Sequence, residues 1–321
     1  MQNQETLCSL VGKQSMTFDQ LQAFVKVVQC GSFTRAADLL GTTKGYLSRV
    51  LAQLETELGA KLVARTTRTL SLTETGKEVF ERAVGILAAV DETRQVAQDA
   101  QGEPRGQLRL TCGAEFGMLA VTGWVAQFLE RYPLASCDVE YTSRVIDLVH
   151  EGFDLAIRIG PLPESRLVAR RLGQIDYGLF ACPRYLQRQG TPATIEELRS
   201  HSLVMFSSGT HRDGWALTRG REQMLVDAPA RLRVNNSFAV RDALLRSLGV
   251  GRLPLMVAGE QVAQGRLIRL LPQWSIPPAD VHAVYPSSRH LAPKVRGFID
   301  LAADRFPAAA TQAQRACATS S

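Results

Sequence analysis

The 321-residue sequence is poor in the groups that do covalent chemistry or hold metals. Its six cysteines (Cys8, Cys30, Cys112, Cys137, Cys182 and Cys317) are scattered, with no CxxC and no Cys–His cluster. That spacing argues against a zinc site or a disulfide framework and favours free thiols in a reducing compartment. The histidines (His150, His201, His211, His282 and His290) lie far apart, as surface or capping residues do. There is no HExxH, no GxSxG, no Walker-type phosphate loop and no GxGxxG after a strand. The chain is therefore not expected to be an enzyme, and neither a cofactor nor a metal is expected. No apolar run approaches the ~20 residues of a membrane span. The start, "MQNQETLCSLVGKQS", has no basic segment followed by a long apolar core, so it does not read as a secretory signal. Residues 1–15 are expected to be a disordered extension or the product of an upstream start codon, and the location is expected to be cytoplasmic.

What is present is a formal charge of +6 and an apolar content of 45%, normal for a globular chain with room for two or three domains. The charge is informative where it clusters. In "GSFTRAADLLGTTKGYLSRVLAQLE", residues 31–55, Phe33, Ala36, Ala37 and Leu40 recur at helical spacing. Gly41 then stops the helix, and Thr42 or Thr43 can cap a second one. The second stripe is Leu47, Val50, Leu51 and Leu54. Two helices joined by a short Gly-containing turn form a helix-turn-helix pattern, and the small Ala36 and Ala37 allow a close crossing. Thr43, Lys44, Gly45, Ser48 and Arg49 fall at the start and outward face of the second helix, where base edges and phosphates would be met. A helical hairpin with a merely solvated polar face fits this stretch alone equally well.

The next segment shifts the balance. In "GAKLVARTTRTLSLTETG", residues 59–76, Leu62 and Val63, then Leu70 and Leu72, bracket a basic tip containing Arg65, Thr66 and Arg68. Two short strands joined by such a tip read as a wing lying along a phosphate backbone. Between Lys44 and Arg68 there are five basic residues (Lys44, Arg49, Lys61, Arg65, Arg68) against two acidic ones (Glu55, Glu57). That is the electrostatic footprint of a polyanion-binding face.

The stretch from "LQAFVKVVQCGSFTRAADLL" to "TLSLTETG" resembles the winged helix-turn-helix of LysR-type transcriptional regulators. "GFDLAIRIGPLPESRLVARRLG" and "LFACPRYLQRQGTP" resemble the effector-binding half of the same family, so the likeness spans roughly residues 16–306. Lys44, Gly45 and Tyr46 stand where the family often has Gln, Pro or Ser, and Val63 where it commonly has Phe. The resemblance implies an α/β multidomain fold: an N-terminal winged helix-turn-helix over 16–75, a linker and dimerisation helix with a hinge over 76–102, and a C-terminal two-lobed effector domain over 103–306. That domain would resemble a periplasmic binding protein, with lobe I about 106–176 and 283–306 and lobe II about 177–282. Residues 307–321 are expected to be a disordered tail. The implied partners are double-stranded promoter DNA, a small-molecule effector, RNA polymerase, and further copies of the chain in a dimer and then a tetramer.

The residues fill in this outline. From Thr73, a plausible N-cap, one helix of some 28 residues is expected, about 42 Å long. Its stripe of Val79, Phe80, Ala83, Ile86, Leu87, Val90 and Val96 is best covered by an antiparallel partner helix. Beyond "GEPRG" strands and helices alternate, which predicts parallel sheets covered on both faces. Ligands of such sheets sit past the strand carboxyl ends, near helix N-termini. The candidates there are Gly113, Ala114 and Phe116 after the first strand, and Thr142, Ser143 and Arg144 opening a helix after the second. In lobe II they are Phe206 at a strand end and Asn235, Asn236 and Ser237 opening another helix. Ser143 and Asn236 are expected to face each other across the cleft. Such hydroxyl, amide and N–H groups suit a small, often carboxylated molecule, although any one of them is more commonly a helix cap. The competing function is a solute-binding receptor using the same two-lobed domain without a DNA-binding role; the absent signal segment and the wing count against it.

Overall fold

The computed structural model describes residues 16–65, 70–98, 103–165, 167–207, 214–287 and 291–318. It divides into two compact units, residues up to 102 together with 145–153, and residues 103–144 together with those from 154 onward.

In the first unit three helices, α1 (Phe18–Cys30), α2 (Phe33–Leu39) and α3 (Lys44–Leu58), precede a two-stranded antiparallel wing, β1 (Val63–Arg65) and β2 (Leu70–Leu72). Each helix begins where its sequence can satisfy the free first-turn amides. Thr17 and Gln20 form a reciprocal capping box at α1, Ser32 accepts from the Arg35 amide at α2, and Thr43 accepts from the Tyr46 amide at α3. Gly41 ends the α2 turn at φ +62°, the left-handed region that a side chain would resist. The inward stripe packs as its spacing predicts: Ala36, Ala37 and Leu47 meet Ala23 and Val27, while Leu51 and Leu54 join Leu21, Phe24 and Phe80.

Glu55 ties the wing to α3. Its Oε1 accepts from the Leu62 amide at 3.0 Å and the Val63 amide at 3.2 Å, and its Oε2 pairs with Lys61 Nζ at 2.6 Å. Burial raises the pKa of this carboxyl, but Lys61 and the two amides outweigh it and hold the group below its ordinary value. The long helix α4 (Glu74–Gln98) is capped by Thr73, whose Oγ1 accepts from the Gly76 amide at 2.9 Å. Gly76 lies against the wing so closely that a Cβ would fall 2.0 Å from the Leu62 carbonyl oxygen. Phe80 and Ala83 of α4 are buried in the first unit's own core, with Val79, Val84 and Leu87 partly buried against it. The near half of the stripe is thus covered within the chain, and Ile86 is left 43% exposed.

The second unit holds two five-stranded sheets. The first has the order β4 (Ala135–Tyr141), β3 (Gly106–Cys112), β5 (Leu155–Ile159), β14 (Ala279–Tyr285), β6 (Val168–Ile175). The second has the order β11 (Ala230–Val234), β8 (Leu203–Phe206), β12 (Val250–Pro254), β7 (Tyr177–Ala181), β13 (Ile268–Leu270). Both sheets are mixed rather than parallel. β14 runs antiparallel to β5 and β6, and β7 antiparallel to β12 and β13. Strands that enter a sheet straight from the other lobe arrive from the opposite end, which the strand–helix alternation could not reveal. β14 belongs to lobe I from Ala279, so the chain returns earlier than the expected boundary at 283. A separate hairpin, β9 (Trp215–Arg219) with β10 (Glu222–Val226), adds to lobe II.

The helices of this unit are α5 (Ala114–Phe116), α6 (Thr122–Arg131), α8 (Pro183–Gln189), α9 (Ser237–Leu245), α10 (Leu255–Ala263) and α11 (Pro293–Ala318); the short α7 (Leu148–Glu151) falls in the first unit. The expected disordered tail from 307 is instead the second half of α11, which continues through Pro307 to Ala318. Its first half buries Phe298, Ile299 and Phe306 in the lobe I core. Its second half buries Cys317 against lobe II, with the Cys317 thiol directed to the Leu255 carbonyl. Alanine-rich sequence favours a helix here, and burial of this face against lobe II fixes it.

Candidate functional site

The outward face of α3 carries the first set of candidates. Thr43, Lys44, Gly45 and Arg49 are exposed and Ser48 is half-buried, while Leu47, Leu51 and Leu54 fill the opposite face. The Thr43 hydroxyl is engaged as the helix cap through the Tyr46 amide at 3.2 Å. No atom lies within 4 Å of where a Gly45 Cβ would stand, and its φ is not left-handed, so neither packing nor backbone geometry demands glycine there. Arg65 ends β1 at the start of the wing tip. Thr66 and Arg68, and the side chain of Arg65, lie outside the described residues. A polar, cationic first turn presented by a rigid three-helix core, with a wing fixed beside it by Glu55, can insert into a DNA groove while the wing follows the backbone.

The second set lies in the two-lobed unit. Gly113 follows β3 and precedes α5, and its carbonyl accepts from the Gly117 amide at 2.8 Å. Ala114 opens α5. Phe116 does not line the cleft: it is 2% exposed in the lobe I core, with ring centroids 5.6 Å from Trp124 and 5.5 Å from Phe306. A π turn over Gly117–Val121 follows at once. Gly117 is required by space, since a Cβ would sit 2.1 Å from the Tyr141 ring. Tyr141 in turn shares a hydroxyl hydrogen bond of 2.8 Å with Thr122.

Thr142, Ser143 and Arg144 do not open a helix. They form a loop, and α7 begins only at Leu148, where the Asp147 carboxylate accepts from the Val149 and His150 amides. Thr142 is held by three hydrogen bonds: its amide donates to the Cys112 carbonyl, its Oγ1 accepts from the Arg144 amide, and its carbonyl accepts from Arg158 Nη1. Ser143 is exposed on this loop.

On lobe II the candidates stand at a strand end and a helix start, as their spacing predicts. β8 ends at Phe206 beside Val234 of the parallel β11, and Asn236 caps α9 by accepting from the Ala239 amide at 3.0 Å. Asn235 is exposed and Ser237 is buried at the first position of the helix. The hydrogen bond that joins the lobes here is not between Ser143 and Asn236. It runs from the Ser237 amide to Glu115 Oε1 at 2.9 Å. Glu115 was missed because a lone carboxylate beside an apolar Phe116 gives no local signal. Nearby, Tyr177 starts β7 at the crossing between lobes, with the Arg252 guanidinium 5.0 Å from its ring centroid. Burial pushes the Tyr177 phenol up; Arg252 pulls it down and Glu115 adds to the rise.

Residues 18–77 match the bacterial regulatory helix-turn-helix domain of the lysR family, and residues 101–307 match the LysR substrate binding domain. The chain belongs to the LysR family of transcriptional regulators. It is similar to the regulator PtxR of Pseudomonas aeruginosa, 36% identical over 290 residues that cover 89% of this chain and 91% of the relative. Among solved structures it is similar to CrgA of Neisseria meningitidis, with 30% identity, a TM-score of 0.58 and coverage of 91% and 99%. The virulence activator AphB of Vibrio cholerae gives 27% identity, a TM-score of 0.56 and coverage of 89% and 98%. The chain is a LysR-type DNA-binding regulator with a small-molecule effector domain. The solute-receptor alternative is not favoured, because these matches run through both units.

Proposed function

We propose that this regulator reads its operator through Thr43, Lys44, Gly45, Ser48 and Arg49, with Arg65, Thr66 and Arg68 gripping phosphates from the wing. The observation that carries the reading is the capped, solvent-facing first turn of α3 opposite the buried Leu47, Leu51 and Leu54. Two copies pair through α4, whose Ile86 is left exposed beyond the first unit's core, and two dimers make a tetramer. Paired recognition helices then enter successive major grooves about 34 Å apart. An effector between the lobes acts by binding one arrangement of the assembly better than another, which alters the bend of the intervening DNA. The role is regulatory rather than catalytic, in the cytoplasm, with RNA polymerase as the downstream partner.

Footprinting of the full chain on its own upstream DNA tests this. Two protected half-sites are expected, with their spacing changed by those metabolites that raise the chain's melting temperature. Uniform, sequence-independent protection would overturn the reading.

A further inference from the structure

Three features converge at the start of α9. Asn236 satisfies the Ala239 amide, and the Ser237 amide, another of the first-turn donors, is satisfied by the Glu115 carboxylate from the other lobe. The negative charge sits where the helix dipole favours it. Glu115 is held in place by its neighbours, since Phe116 is locked into the lobe I core and Gly117 is pinned beneath the Tyr141 ring.

We infer that Glu115 latches the two lobes from within and thereby excludes carboxylates from the start of α9. This deepens the reading of the cleft as the effector site and rests on it. A carboxylate held in place by its neighbours acts at an effective concentration far above the millimolar range of a flexible linker. A free carboxylate at metabolite concentration therefore does not displace it. The effector is selected by other groups of the cleft, and opening the latch is part of its action. The carboxylated ligand expected from the residue types alone has its natural anchor already filled.

Replacing Glu115 with Ala removes a CH₂ and a carboxylate, nearly the atoms of an acetate ion, so acetate is the probe. Hydrogen exchange of the Ser237 amide is followed by mass spectrometry in the full chain for wild type, Glu115→Ala and Glu115→Gln. Loss of one charge-assisted hydrogen bond should speed exchange at Ser237 roughly ten- to a hundredfold in Glu115→Ala. Acetate at tens of millimolar, but not chloride at equal ionic strength, should restore protection in that variant and leave wild type unchanged. Glu115→Gln retains a neutral acceptor, so it should lie between the two and guards against a folding defect. Unchanged exchange in Glu115→Ala, or acetate protecting wild type as strongly as the variant, would overturn the latch. Gel-shift of the same proteins separates the two ideas: wild type that fails to retain its upstream DNA would sink the regulatory reading while leaving the latch result standing.

Discussion

Removing the Glu55 carboxylate should loosen the wing, and the size of the effect follows from three contacts. Its Oε1 serves the Leu62 and Val63 amides, both in residues no more than 7% exposed, so Glu55→Ala leaves two buried donors without an acceptor. Each unmet donor costs about 1–3 kcal/mol, partly recovered by water reaching the site. The Lys61 pair contributes less than ~1 kcal/mol, because the Lys61 side chain is 77% exposed and the charge is screened. We expect a local loss of about 2–3 kcal/mol for Glu55→Ala. Glu55→Gln, which keeps an acceptor for both amides, should lose about 1 kcal/mol or less. Amide exchange at Leu62 and Val63 in the full chain should accelerate about 30- to 150-fold in the Ala variant. The pH dependence has a definite sign. The folded carboxyl titrates below its unfolded value of roughly 4.3, so its stabilisation is fully present above that value. It is lost as pH falls through the lower, folded pKa, and Glu55→Gln should lack this acid-sensitive component. Exchange in Glu55→Ala within twofold of wild type would refute the argument, because the amides would then have another acceptor.

Gly76→Ala should destabilise the first unit by at least ~2 kcal/mol in thermal denaturation, since the added Cβ meets backbone at Leu62 rather than a movable side chain. Gly45→Ala should do the opposite, stabilising α3 by up to ~1 kcal/mol with nothing to clash against. It should at the same time weaken operator binding, because the methyl stands on the face proposed to meet DNA. Truncation after Phe306 should lower the melting temperature of the effector unit, because it strips the α11 segment that buries Cys317 against lobe II. A truncated chain melting with wild type would mean that this segment is not docked.

What the sequence disclosed and what it hid divide along sequence separation. The caps at Thr43 and Thr73 and the turn at Gly41 depend on residues a few positions away, so residue type and spacing sufficed to place them. The stripe of Leu47, Leu51 and Leu54 was equally local. Glu55 entered the sequence reading only as an acid in a charge count, because its amide partners lie across a turn whose geometry was unknown. Glu115 was hidden altogether: its partner Ser237 is 122 residues away. The second half of α11 failed for a related reason. Its small, alanine-rich composition carries no clear apolar stripe, and its docking depends on distant partners: Cys317 buried against lobe II and Gln314 donating to the Asp176 carboxylate at 2.6 Å. Mixed rather than parallel sheets arose because strand direction is set by which lobe the chain comes from.

If the exposed face of α3 reads sequence, competition gel-shift with wild type and Arg49→Ala shows it. The labelled probe is the chain's own upstream DNA, competed with unlabelled probe and with random duplex across a salt series. Arg49→Ala should lower operator affinity by about 1–3 kcal/mol, five- to 150-fold, while changing affinity for random duplex much less. Operator affinity unchanged in Arg49→Ala, or a fall that is equal for operator and random DNA, would contradict the account.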